Sequence, residues 1–237
     1  MLAGVPEDLL VCRLGLVSYD RALAWQAGLR ERVIAGEADE AVLVCEHPAT
    51  YTLGRRSEPQ DLPMGEDWYR GQGIEIHRVQ RGGKLTYHGP GQVVAYPIVR
   101  VARIPEYVAA LESAVVGALA EEGIVARGRD HEGPQFTGVW VEDRKIASIG
   151  IHVSHGVAMH GLALNVDNDL QPFEWAVACG LPDTRMTSVC RELGRSGRLD
   201  CVRERLAFRL CQALGRRQRL ISPARLDLDR GLVSVPR

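Results

Sequence analysis

Residues 137–166 read TGVWVEDRKIASIGIHVSHGVAMHGLALNV. Thr137–Val141 and Lys145–Val153 are apolar-rich runs flanking Glu142-Asp143-Arg144, which predicts a hairpin. A third strand, Val157–Val166, follows Ser154-His155-Gly156. Upstream, Ala22, Trp25, Leu29 and Val33 recur at helical spacing, so 18–36 reads as an amphipathic helix. Ala41–Cys45 reads as a strand, 54–73 as a long loop with at most one short helix, and Ile74–Val79 and Val93–Val99 as strands. Pro105 opens a helix with Val108, Leu111, Val115 and Leu119 on one side and Gly123 as its stop. A short helix fits 171–177, and Asp200–Leu214 reads as the last helix. Residues 215–237 are Arg-rich without a clear pattern and read as an appended tail. Helices and strands mix without regular β-α-β alternation. That favours an α+β fold with a mixed sheet over a doubly wound one.

Composition narrows the function classes. The 237 residues suit one or two domains. A formal net charge of −1 gives no global basic field, so neither nucleic acid nor an anionic membrane is an expected partner. There is no apolar run of about 18 residues of the kind a transmembrane helix needs. Glu7 and Asp8 stand where an export signal would place positive charge and then an apolar run, so a cytoplasmic protein is expected. The six cysteines contain no C-x-x-C pair, and reduced thiols are expected. Cys45, Cys201 and Cys211 read as core packing. The Gly and Pro beside Cys179, in Ala178-Cys179-Gly180-Leu181-Pro182, indicate a turn, so this thiol reads either as accessible and reactive or as inert.

Of the 29 basic residues only Lys84 and Lys145 are lysine. Arginine serves wherever charge alone is needed, and it cannot give up its proton, whereas lysine can. Both exceptions therefore raise the question of whether an amine is required. For Lys145, the plain alternative is a solvated charge at a hairpin shoulder.

Residues 81–92, RGGKLTYHGPGQ, hold four glycines at 82, 83, 89 and 91. They match neither a phosphate loop, since Leu85 follows Gly83-Lys84, nor the dinucleotide pattern. The segment reads either as a close approach of backbone to a ligand or as two tight turns joined by a strand. His152, His155 and His160 lack an acidic residue at ligand spacing, so no metal is expected.

Together these segments resemble the lipoyl(octanoyl) transferase family, over roughly residues 10–214. The likeness rests on four blocks. They are Glu46-His47-Pro48-Ala49-Thr50-Tyr51-Thr52-Leu53-Gly54, then Arg81–Gln92, then Gly138–Val141 with Lys145–Gly150, and last His160–Val166 with Cys179-Gly180-Leu181. The family commonly has proline before the cysteine, where this chain has Ala178.

The resemblance implies a single catalytic domain over 1–214 with the fold of lipoate and biotin ligases, a mixed sheet flanked by helices plus a smaller sheet. It implies transfer of an octanoyl or lipoyl group from acyl carrier protein to a lysine of lipoyl domains, the first step of endogenous lipoate synthesis. The acceptors would be E2 subunits of 2-oxoacid dehydrogenases and the glycine cleavage H protein. It also implies that Cys179 forms the acyl thioester and that Lys145 is its partner. Arg81, Gly82, Gly83, Lys84, Leu85, Thr86, Tyr87 and His88 would line the acyl site with Ser148, Ile149, Gly150, Gly161, Leu162 and Ala163. No cofactor is expected, and a monomer is. Arg55, Arg56 and Arg78 are candidates for docking an acidic carrier, and His88 for orienting the glycine-rich region. An ATP-dependent ligase of the same fold would not need Cys179, and a non-catalytic acyl-binding module would not need Cys179 and Lys145 together.

Overall fold

A computed structural model describes residues 7–177 and 184–230. In chain order the elements are β1 (Asp8–Leu16), α1 (Tyr19–Ala35), β2 (Ala41–Glu46), β3 (Thr50–Leu53), α2 (Glu66–Gly71), β4 (Glu75–Arg78), β5 (Leu85–His88), β6 (Gln92–Ile98), α3 (Ile104–Ala120), β7 (Arg127–Gly128), β8 (Gly138–Val141), β9 (Arg144–Ser154), β10 (Val157–Asn165), α4 (Gln171–Glu174), α5 (Val189–Leu193), α6 (Leu199–Ala213), β11 (Arg217–Ile221) and α7 (Pro223–Leu226). The strands form an eight-stranded sheet, ordered β11-β1-β2-β6-β10-β9-β8-β7, and a three-stranded sheet, β4-β3-β5. β1 runs parallel to β2 and β11, and β3 to β4, while the remaining pairs are antiparallel. This is the expected α+β arrangement of a mixed sheet with a smaller one.

The hairpin turns at 142–143 and 155–156 place Glu142 at φ 54° and His155 at φ 49°. β9 and β10 pair from Ser154↔Val157 to Ala147↔Leu164. Alternation along these strands sends Ala147, Leu162 and Leu164 into a core under α3 and α6. The opposite face of the main sheet packs on α1 through Ala22, Trp25, Leu29 and Val33, the residues whose spacing predicted that helix. A third cluster, built on Tyr51, Leu85, Tyr87 and Phe173, fills the space behind the small sheet. Among the described residues no helix is long and apolar enough to cross a membrane.

Five strands escape the sequence reading: β1, β3, β5, the two-residue β7 and β11. β1 looks like a leading segment but is a buried strand, with Leu9, Val11 and Cys12 fully enclosed. β3 is short, and β5 lies inside the glycine-rich segment. The chain after 214 is also no loose appendage as far as it is described. β11 pairs with β1 from Asp8↔Arg217 to Cys12↔Ile221, and Leu226 and Leu228 are buried against the α1 side of the sheet. Its arginines conceal this because they face outward from an edge strand and pair with acids, as Arg217 does with Asp8 at 2.6 Å. Cys201, expected in the core, lies on the exposed side of α6.

Leu228→Ala is therefore expected to cost about 2–5 kcal/mol, the usual range for truncating a buried leucine. Urea unfolding measures this directly; unchanged stability would mean the segment is not part of the core.

Candidate active site

A cavity of about 300 Å³ opens where the small sheet meets the cavity-facing side of β6, β9 and β10. Arg81, Gly82, Gly83, Lys84, Leu85, Thr86, His88, Lys145, Ser148, Ile149, Gly150, Gly161, Leu162 and Ala163 all line it. Two triads far apart in sequence become cross-strand partners: Ser148↔Ala163, Ile149↔Leu162 and Gly150↔Gly161. Tyr87 is the exception. On β5 it points away from Thr86 and His88 and packs edge-on against Tyr51 at 5.7 Å and Phe173 at 5.4 Å, so it shapes the wall from behind.

The glycines allow the loop to close on the sheet. The Gly82 N–H donates to Ile151 O at 2.9 Å. A Cβ on Gly150 would sit 3.1 Å from Gly82 O and from Arg81 Cδ, and one on Gly161 would collide with Ala95 O. The segment is two turns joined by β5, and its backbone also lines the cavity. The Arg81 guanidinium fastens it, donating to Thr52 Oγ1 (2.8 Å), Gly82 O (2.9 Å) and Lys84 O (2.8 Å).

The two lysines differ. Lys84 binds Glu58 at 2.7 Å and lies 3.7 Å from Asp61, an ionic role open to arginine. Lys145 is only 2% exposed, so the solvated-shoulder reading fails. Its Nζ lies 5.4 Å from the centre of the Trp140 ring, and a Cβ on Gly138 would come within 2.7 Å of its Cε. Its N–H donates to Arg185 O (2.8 Å), and its carbonyl accepts from the Thr187 N–H (2.9 Å). Cys179, with Ala178, Gly180 and Leu181, lies outside the described residues. Burial pushes the Cys12 thiol up to about 11 and that of Cys211 up to about 12, so both are inert packing groups at neutral pH.

His88 is buried in the cavity wall. Its Nδ1 bonds Gln92 Oε1 at 2.8 Å and its Nε2 approaches Thr52 Oγ1 at 3.4 Å. Burial, reinforced by neighbouring His47, holds its basicity far below the ordinary histidine range. His47, bonded to Val17 O and Tyr96 Oη at 2.7 Å each, is pushed down to about 4 by burial. His160, at φ 60° in β10, is pushed down to about 3 by burial and by the charge of Arg81. Thr86 Oγ1 and His160 Nδ1 are buried without a hydrogen-bond partner among the described residues.

Sequence reasoning missed Tyr19, Val94, Tyr96, Val108, Asp130, Gln135 and Thr137, which also line the cavity. These come from α1, β6, α3 and the 130–137 connection, and no local pattern marks them. Arg56 reaches the cavity wall, whereas Arg78 is exposed and paired with Glu66 at 2.5 Å.

A family model described as the lipoyl protein ligase A/B catalytic domain matches residues 18–210. An octanoyltransferase of Salinispora tropica is 44% identical over 197 residues, covering 79% of this chain and 87% of its own. One of Bacteroides fragilis is 42% identical over 207 residues, covering 83% and 92%. One of Caldicellulosiruptor saccharolyticus is 36% identical over 223 residues, covering 92% and 94%. Among solved structures, lipoate-protein ligase A bound with ATP superposes with TM-score 0.74 at 19% identity, covering 95% of this chain and 93% of its own. A bipartite lipoate protein ligase of Thermoplasma acidophilum gives 0.71 at 18%, covering 94% and 91%. The structural likenesses speak to the fold.

Native His47 and His160 take protons only near pH 4 and pH 3, while the unfolded chain takes them at about 6.5. As pH falls below 6.5 the unfolded state binds protons that the native state excludes, and stability falls over that window. NMR should accordingly find the rings of His47, His88 and His160 neutral from pH 8 down to pH 5 in the native protein. Titration of any of them with a midpoint near 6.5 would contradict their burial.

Proposed function

We propose that this chain, which belongs to the lipoyl protein ligase A/B catalytic domain family, is an octanoyltransferase that moves an octanoyl group from acyl carrier protein to a lysine of lipoyl domains. The observation that carries the reading is the placement of Lys145. In a chain with only two lysines, this amine is buried in the wall of a cavity that Gly150 and Gly161 also line. Kinship with octanoyltransferases at 36–44% identity supplies the acyl group. Val94, Val108, Ile149 and Leu162 offer the apolar surface an alkyl chain needs.

The chemistry balances without a cofactor. A free cysteine has a pKa of about 8.5, and it is the thiolate that attacks. In the first half-reaction the proton of the Cys179 thiol passes to the Lys145 amine. The Cys179 sulfur then bonds the octanoyl carbonyl carbon, the carrier's C–S bond breaks, and the departing thiolate receives that proton. In the second, the acceptor lysine, having lost its extra proton to water, attacks the Cys179 thioester. The amide forms and the C–S bond to Cys179 breaks. The proton shed by the nitrogen passes through Lys145 to the Cys179 thiolate. Exchange of one thioester for another is nearly isoenergetic, and amide formation from a thioester is downhill. Arginine at 145 would supply charge but could not carry the proton. Backbone N–H groups of the glycine-rich segment are candidates to receive the developing oxyanion.

His88, tied to Gln92 and Thr52, orients the segment that carries those groups. Arg81, Gly82, Gly83, Leu85 and Thr86 form one wall of the acyl site, and Ser148–Gly150 with Gly161–Ala163 form its floor. Arg55, whose N–H donates to Arg81 O, and Arg56, which lines the cavity, are the proposed contacts for the acidic carrier, and residues 1–214 with the strand and helix that follow act as one catalytic domain. E2 subunits and the glycine cleavage H protein are the proposed acceptors, and the enzyme works as a cytoplasmic monomer.

Intact-protein mass spectrometry tests the reading. Mixed with octanoyl-acyl carrier protein and no ATP, the wild type is expected to gain one hydroxylamine-labile octanoyl group, absent from Cys179→Ser. Lys145→Arg is expected to transfer to a lipoyl domain at least about 100-fold more slowly, the lower end for loss of a general acid–base. Transfer only after ATP is added would move the protein to the adenylating ligases.

A further inference from the structure

β9 and β10 pair as far as Ala147↔Leu164 and then part. β10 stays with β6 for one more residue, Asn165↔Gln92. Two residues before the last β9–β10 pair, at Lys145, both main-chain groups of β9 are held by the strap Arg185–Thr187, through the N–H to Arg185 O and from the Thr187 N–H. The same strap is tied to β10: Asn165 Nδ2 donates to Thr187 O at 3.1 Å. Thr187 therefore has its N–H on the lysine's carbonyl and its own carbonyl on the asparagine's amide. Its hydroxyl donates to Glu192, which also accepts from Arg144 at 3.1 Å. Where two strands part, a side-chain amide has taken over the work of a main-chain ladder.

Asn165 is itself held from both sides. Its Oδ1 accepts from Gln92 Nε2 at 2.9 Å and from Asn168 Nδ2 at 3.2 Å. Gln92 in turn accepts from His88 and donates to Tyr87 O at 3.0 Å. The residues 165, 92 and 187 are each no more than 1% exposed, so no solvent replaces a lost partner. Asparagine fits this post because it offers an acceptor on one side and a donor on the other. Aspartate keeps the shape and the acceptor and loses the donor.

We infer that Asn165 is a positioning residue for Lys145: its amide holds the Arg185–Thr187 strap on the lysine's main chain and fixes where the ammonium enters the cavity. The inference rests on the reading of Lys145 as the proton carrier. Asn165 touches no reacting atom. It acts through Thr187, and it links Lys145 to the glycine-rich wall through Gln92 and His88.

The test uses the full chain, with octanoyl-acyl carrier protein as donor and a lipoyl domain as acceptor. For Asn165→Asp, kcat is expected to fall on the order of 100-fold, the cost of a misplacement of about 1 Å. KM for the donor should change little, and the limb of the pH–rate profile that Lys145→Arg abolishes should shift. In the wild type, amide exchange at Lys145 and Thr187 should be as slow as at Ile149 and Leu162. A folded Asn165→Asp with wild-type kcat and pH profile would overturn the inference. So would rapid exchange at Thr187 in the wild type, which needs no variant to fold. Absence of octanoyl transfer by the wild type would instead sink the transferase reading beneath it, a different and recognisable outcome.

Discussion

A buried line of hydrogen bonds crosses the seam between the two sheets, and the candidate site depends on it. It starts at Arg81, whose guanidinium holds Thr52 on β3, and passes through His88, Gln92 and Asn165 to Thr187 and the main chain of Lys145. Each member is enclosed, so each must find its partner within the protein or pay the desolvation of an unmade bond. This requirement sets which way each side chain points. It also keeps the histidine in the line neutral, since a proton added to an enclosed imidazole would be unsolvated. The small sheet, the glycine-rich loop and the Lys145 strand are thereby held in one mutual placement, with the cavity between them.

Much of this was legible in the sequence, for reasons that can be named. The helices α1 and α3 announce themselves because one face of each is buried and periodic. The hairpin of β8 and β9 is legible because its turn is polar and its strands are not. Lys145 stands out by scarcity and lies buried, whereas Lys84, equally scarce, makes ionic contacts with Glu58 and Asp61 that an arginine could also make. The wall residues 81–86 and the triads 148–150 and 161–163 followed from the family resemblance, and their meeting in one cavity is consistent with it.

What stayed hidden was tertiary. β11 carries arginines because an edge strand shows half its side chains to water, and only its pairing with β1 gives it structure. Tyr87 shares a motif with its neighbours but not a face, since a strand turns alternate residues to opposite sides. Tyr19, Val108 and Gln135 reach the cavity from elements with no sequence relation to one another. Cys201 sits in an apolar-looking helix yet on its outer side. In each case the missing quantity was which neighbour the side chain would meet.

The most direct measurement is a crystal structure of the protein after reaction with an octanoyl donor. The alkyl chain is expected to lie along Ile149, Gly150, Gly161 and Leu162, with its carbonyl beside Lys145. An octanoyl chain seated elsewhere, or a carbonyl remote from Lys145, would mean that these strands and this lysine do not form one acyl-transfer site.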